Sequence, residues 1–294
     1  MLATGLSGLT SSPEGAVAGK ERSRLAPGGR FALRPGARLR LSQEDSGDAS
    51  GFDGGKEASR KTLEKLTARL AELQELLYAG HKHSVLVVLQ GMDSAGKDGT
   101  IRRVFEGVNP QGVRVVSFKA PTLPELDHDF LWRVHEQLPA RGEMVLFNRS
   151  HYEDVLFPRV HGLIPRTTWE QRYQEINEFE RMLTQEGTTL LKFFLHIGRA
   201  EQKRRLQERL DDRTKHWKFR EADVRERLLW NSYTRAYEEA LTKTSTTWAP
   251  WYVVPSDRKW FRDMVVSERI VHALEALRMR YPSLPSGLRA THIS

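Results

Sequence analysis

The sequence predicts an α/β protein, a parallel five-stranded sheet flanked by helices. Three observations predict it. Short apolar segments alternate with longer amphipathic stretches at the spacing of strand–helix units. The run Val85–Leu89 has no polar alternation, as expected of a strand buried on both faces. A glycine-rich turn then follows that run and opens a helix. At 294 residues with 39% apolar and 29% charged side chains, the chain can bury a sizeable core.

The elements follow in order. Residues 1–55 hold 11 of the 22 glycines, with Pro13, Pro27 and Pro35, and show little apolar periodicity. Such composition predicts a flexible or loosely draped arm. Leu63, Leu66, Leu70, Leu73 and Leu77 step by three and four, which predicts a helix with one narrow apolar seam, stopped at Gly80. The seam suits packing on its own domain; a dimer contact is the alternative. Strands are predicted at Ser84–Leu89, Val113–Phe118, Met144–Phe147, Thr189–Ile197 and Trp251–Val254. Helices are predicted at Lys97–Glu106, Pro124–Leu138, Thr167–Glu186, Arg199–Leu210, Glu221–Thr242 and Arg258–Met279. One domain over 56–282 follows, with a short tail at 283–294.

Composition narrows the chemistry. The chain has no cysteine, which excludes disulfides, thiolate metal sites and cysteine nucleophiles. Its net charge of +8 favours polyanionic partners. The longest strongly apolar run, Val85–Leu89, is far short of the ~20 residues a membrane helix needs. No basic residue precedes Lys20, which makes a poor signal peptide, so a cytoplasmic location with no membrane partner is expected. Histidines such as His81, His83 and His196 lack metal-ligand spacing, and Trp169, Trp230 and Trp260 suit helix packing.

Directly after the first strand comes Gly91-Met-Asp93-Ser-Ala-Gly96-Lys97-Asp98-Gly99-Thr100, which matches the G-x-x-x-x-G-K part of a phosphate-binding loop. Glycines let the backbone wrap an anion, and the amides and dipole of the following helix favour it. Lys97 adds a point charge. Asp98 stands where Ser or Thr usually holds magnesium, which leaves Asp93, with Thr100, as the candidate ligands. The third strand empties into Asn148-Arg149-Ser150-His151-Tyr152-Glu153-Asp154. Ligands of open α/β sheets sit at such strand ends. Arg149 is a candidate phosphate clamp, and Asn148, Glu153 and Asp154 are candidates for a metal or acceptor site.

Residues Lys203–Arg220 carry eight Lys or Arg against three acids. Arg205 and Arg209 share a helix face, and Arg213, Lys215, Trp217 and Lys218 follow in a predicted loop. The reading is a mobile basic lid over about 199–220 that excludes water from phosphates.

With these motifs on the page, Val85–Ile164 (GMDSAGKDGT, VNPQGVRVVSFKAPT, HDFLWR, FNRSHYEDV) resembles the polyphosphate kinase 2 family. Gln171–Phe219 and Ser256-Asp257-Arg258-Lys259-Trp260 continue the resemblance, which spans roughly 56–280. It implies a thymidylate kinase-like P-loop fold with a helical lid, and magnesium-dependent, reversible phosphoryl transfer between inorganic polyphosphate and nucleotides. The Asn148 variant and Glu153 are similar to the subgroup called class III, which implies that AMP and ADP both serve, with guanine nucleotides open. That carry-over makes Asp93, Lys97, Arg149 and Glu153 the expected catalytic residues, to which the basic run adds Arg209; Asp93 is the expected magnesium anchor, with Asn148 and Glu153 candidates to complete its shell. The loop and the basic run make Gly91, Gly96, Asp98, Gly99, Thr100, Arg205, Arg213, Lys215, Trp217 and Lys218 the expected substrate-binding residues, with Lys119 and Arg133 expected to line the polyanion's path. Family members form oligomers, so a homo-oligomer is expected. An ATP-dependent kinase and a nucleic-acid-binding protein are the rivals, the latter disfavoured because the charge clusters around one loop.

Overall fold

A computed structural model describes residues 29–284. Its sheet contains β1 (Ser84–Gln90), β2 (Val113–Ser117), β3 (Met144–Asn148), β4 (Thr188–His196) and β5 (Trp251–Pro255). All pairs are parallel, in the order β2-β3-β1-β4-β5. β1 is central and buried along its whole length, which explains its unbroken apolar run. The connection after β1 goes to one side of the sheet and the connection after β4 to the other. The carboxyl ends of β1, β3 and β4 therefore share one rim beside a topological switch, where such sheets bind ligands.

The first helix, α1 (Gly55–Gly80), buries Leu63, Leu70, Leu73 and Leu77 against a C-terminal helix of the same chain. The leucine seam is therefore consumed internally. His81 takes the left-handed position that ends α1, one residue beyond Gly80. Next come α2 (Lys97–Val104), α3 (Leu123–Leu126), α4 (Trp132–His135), α5 (Glu153–Val160) and α6 (Arg166–Gln185). They are followed by α7 (Arg199–Asp211), a 3-10 helix at Arg213–Lys218, α8 (Glu221–Leu228), α9 (Trp230–Thr244) and α10 (Lys259–Ala276), the partner of α1.

Three predicted elements differ. The helix expected at Pro124–Leu138 is two short pieces. Between them the Asp129 carboxylate accepts from Leu131 N at 2.9 Å, and the His128 ring bonds Pro124 O, so side chains compete with the helical ladder. The helix expected at Glu221–Thr242 breaks at Leu229, and the lid's predicted loop is a 3-10 helix. Helix α5 lies where the sequence reads only as a polar cluster.

The arm also differs in its described part. Residues 29–54 pack on the body rather than moving free of it; residues 1–28 and 285–294, with most of the predicted tail, lie outside the described residues. β5 is an edge strand with backbone groups to spare. Leu33 N donates to Trp251 O at 2.7 Å, and Ala32 bridges Tyr252. Leu39 and Leu41 are buried, and their amides donate to Thr242 Oγ1 and Glu238 Oε1. Further on, Ser46 bonds Asp257, whose carboxylate also accepts from Gly198 N at the root of α7. No helix among the described residues is long and apolar enough to cross a membrane.

Candidate active site

The loop between β1 and α2 has the shape its residues dictate. Gly91 packs so closely on β4 that a Cβ would lie 2.7 Å from Leu195 O. Gly96, at φ 109°, would place a Cβ 1.9 Å from the Arg262 guanidinium of α10. Only glycine fits either position. Lys97 opens α2 and turns its Nζ back to donate to Gly91 O at 2.8 Å. Burial, and then the charge of Arg149, pull its pKa down to about 8 against the opposing pull of Asp93, Glu153 and Asp98.

Arg149 sits immediately past β3 in the left-handed region, φ 64°, a conformation a non-glycine residue holds only under constraint. Its amide donates to Leu89 O, which joins the rims of β3 and β1. Its guanidinium lies between two carboxylates, donating to Asp93 Oδ1 at 2.7 Å and to Glu153 Oε2 at 3.2 Å. Glu153 first, then Asp93, hold Arg149 firmly in its charged form. Asn148 donates to Asp98 Oδ1 at 2.6 Å, which leaves its amide oxygen as the group available to a cation.

A cleft of about 260 Å³ opens on this trio. Its lining includes Gly91, Asp93, Arg149 and Glu153, Phe157 of α5, Gln202 of α7, Arg220 just before α8, Asp223 and Glu226 within it, and Tyr233 of α9. Gln202 donates to Asp93 O at 3.0 Å and accepts from Arg227 at 2.6 Å. Burial and the neighbouring Asp93 raise the Asp223 carboxyl above its usual range.

The predicted site residues fall into three groups. Asp93, Arg149 and Glu153 line the cleft, Lys97 is buried just behind it with its Nζ on Gly91 O, and Gly91 and Gly96 shape the loop. Gly99 lies in the first turn of α2. Arg213, Lys215, Trp217 and Lys218 stand on the lid, with Lys215 paired to Asp212 and Lys218 over the exposed Trp217 ring. Lys119 is exposed beyond β2. Arg209 faces α8, donating to Asp223 Oδ2 at 3.1 Å and to Lys218 O.

The third group points away from the cleft. Arg205 spends all five N–H groups inside the protein. It donates to Glu201, to Ser94 O and Ala95 O, and to Ser256 O and Asp257 O. It thus props the loop from behind and does not reach the phosphate side. Arg133 is buried in a bidentate contact with Asp154 and donates to Lys119 O, which fastens the end of β2 to α5 instead of lining a polyanion path. Thr100 is fully buried, with its hydroxyl on Asp263 Oδ1, so it cannot serve a metal in the cleft.

Other residues that line the cleft or support its loop escape sequence reasoning. Arg262 reaches Ala95 O from α10, and nothing local marks it. Tyr233 and Tyr237, four apart on one helix, were a signal for an aromatic wall. Trp230, read as helix packing, also lines the cleft.

The donor set suits magnesium. Asp93 and Glu153 both reach one guanidinium, so two carboxylates adjoin a loop built for phosphates. Magnesium is generally held by one or two carboxylates plus substrate phosphates and water rather than by a dedicated cage. Among the described residues no group of three or more acidic, histidine or cysteine ligands forms such a cage.

Comparison with known proteins agrees with this geometry. The profile of the family described as Polyphosphate kinase 2 (PPK2) matches residues 54–282. The chain is similar to the AMP/ADP-polyphosphate phosphotransferase of Meiothermus ruber, 56% identical over 253 residues, covering 86% of this chain and 95% of that protein. It is 45% identical over 246 residues to the ADP-polyphosphate phosphotransferase of Rhodopseudomonas palustris, covering 80% and 85%. The crystal structure of polyphosphate kinase 2 from Arthrobacter aurescens TC1 superposes with a TM-score of 0.85 at 43% identity, covering 88% of this chain and 93% of that one. With its phosphate loop, paired carboxylates and lid on the same parallel sheet, the chain belongs to the polyphosphate kinase 2 family.

Proposed function

We propose that this protein transfers the terminal phosphoryl group of inorganic polyphosphate to AMP and ADP, reversibly and with magnesium. The observation that carries the reading is Arg149, a single guanidinium shared by Asp93 and Glu153 beside Lys97. The likeness to a relative named for both AMP and ADP supports the acceptor range. Guanine nucleotides are further candidates, since the exposed Trp217 ring offers a surface on which either purine stacks.

In-line phosphoryl transfer needs positioning and charge neutralisation more than covalent chemistry. The amides opening α2 and Lys97 hold the donor's phosphates. Asp93 and Glu153, with Asn148 Oδ1, would hold magnesium, which neutralises phosphate charge when bound. Arg149 exchanges a carboxylate for an equatorial phosphate oxygen as charge develops there. Arg209 and the residues of the 3-10 helix close over the chain and keep water, the competing acceptor, out.

The test mixes the protein with magnesium, long-chain polyphosphate and either AMP or ADP, and follows nucleotides by chromatography with Lys97→Ala as control. ATP from ADP, and ADP then ATP from AMP, is the expected result. ATP from ADP alone removes the case for AMP. No phosphorylated product from folded protein, with ATP serving as donor instead, replaces the reading with an ATP-dependent kinase.

A further inference from the structure

The turn that carries Arg149 and Glu153 is fastened from beneath by buried charges that touch neither of them. Glu180 of α6 and Lys192 of β4 are fully buried and paired at 2.6 Å. Lys192 Nζ donates also to Thr244 O at 2.7 Å and to the Tyr152 hydroxyl at 3.1 Å. The Tyr152 hydroxyl in turn donates to Glu180 Oε1 at 2.8 Å, and His151 Nε2 lies 3.3 Å from the same oxygen. The Tyr152 ring meets Trp251 edge-on at 4.8 Å, and Ser150 is hydrogen-bonded to the Gln90 side chain at 3.1 Å. Residues 150–152 are thus buried, while the residues on either side of them face the cleft.

Stability alone does not call for this arrangement. The desolvation cost of a buried ion pair offsets its attraction, and apolar side chains of similar volume generally serve as well. Charged hydrogen bonds are directional, however, and these require the Tyr152 hydroxyl and the His151 ring at set places. Arg149 needs such a constraint, because its φ of 64° is costly for any residue with a Cβ.

We propose that Glu180 and Lys192 are positioning residues: through Tyr152 and His151 they hold Arg149 in its left-handed conformation between Asp93 and Glu153. The kinetic consequence rests on the polyphosphate reading; the structural consequence does not.

The experiment uses the full chain carrying Glu180→Gln with Lys192→Met, which removes both charges together and strands neither, alongside Tyr152→Phe. In the double variant kcat is expected to fall on the order of 10²-fold per folded molecule. KM for polyphosphate, whose ground-state contacts come from the loop after β1 and the 3-10 helix, neither of which the double variant alters, stays within about twofold. Unchanged kcat per folded molecule overturns the proposal. Should the double variant not fold, Tyr152→Phe decides, since it keeps the ring: lowered kcat at constant KM supports the proposal, and wild-type kcat overturns it. A crystal structure of either variant needs no substrate. Arg149 displaced from its left-handed φ or from its two carboxylates supports the proposal, and Arg149 unmoved overturns it. A wild-type protein inactive with polyphosphate would sink the proposed function, while the crystal structures still decide the positioning role.

Discussion

Lys97 shows what burial does to a phosphate-binding lysine. Without a phosphate its ammonium has one close carbonyl, Gly91 O, and Arg149 nearby, and its pKa drops to about 8. Below that pH the folded chain carries the charge; as pH rises through about 8 the charge is lost, while the unfolded chain keeps it to its ordinary value. The buried charge therefore weighs against folding below pH 8, and this cost is relieved as pH rises toward the ordinary lysine range. A bound polyanion restores the charged form. The expected pH profile has kcat/KM for polyphosphate falling above about pH 8 while kcat holds to higher pH; parallel profiles would contradict it. Lys97→Ala should lower kcat/KM by about 10³-fold or more with no loss of melting temperature. Asp93→Asn should displace the magnesium titration to higher concentration or abolish activity, and an unmoved titration removes Asp93 from the metal. These residues were legible because the strand–loop–helix spacing fixes where they lie. Arg205, Arg133 and Thr100 were misread because a sequence displays charge and polarity but not partners. Theirs sit at Ser256 and Asp257, at Asp154 and at Asp263.

At the level of elements, all five strands lie where apolar runs placed them: β1, buried on both faces, is written in composition alone, and even the half-exposed edge strand β2 keeps three valines in five residues. Helix boundaries were less legible. Asp129 and His128 interrupt one predicted helix through hydrogen bonds that propensity does not count. The arm was read by its glycines, yet two leucines and an open strand edge suffice to dock residues 29–54. Burying Leu39 and Leu41 is worth about 1.5–3 kcal/mol each. A chain beginning at Gly55 should melt about 10 °C below one beginning at Gly29, by calorimetry; equal melting temperatures would show that the β5 contact adds nothing.

The whole molecule carries a net charge of +8, and its sheet gathers Lys97 and Arg149 at one rim. Polyphosphate carries about one charge per unit, and exposed charge is screened within ~8 Å at physiological ionic strength. KM for polyphosphate should therefore rise steeply between 50 and about 500 mM salt while kcat changes far less, a split that steady-state kinetics reads directly. Flat KM values would mean that only the desolvated contacts of the loop matter. The same rim explains why strand order matters more than any single cation. Placing β1 between β3 and β4 brings the glycine loop, Arg149 and the root of α7 together from segments about 50 residues apart.

Arg205 has a consequence for how the enzyme turns over. With its five donors spent on Glu201, the loop and the end of β5, the first half of α7 is part of the floor. On the proposed lid reading, the segment that would swing is shorter than the basic run suggests, bounded by Asp212, in extended conformation, and Leu229, where α8 and α9 part. Opening there would break the contacts of Arg209 with Asp223 and Lys218 and of Gln202 with Arg227, and would leave every bond of Arg205 intact. On that reading a long phosphate chain would be released and re-threaded while the loop proposed to grip it keeps its shape.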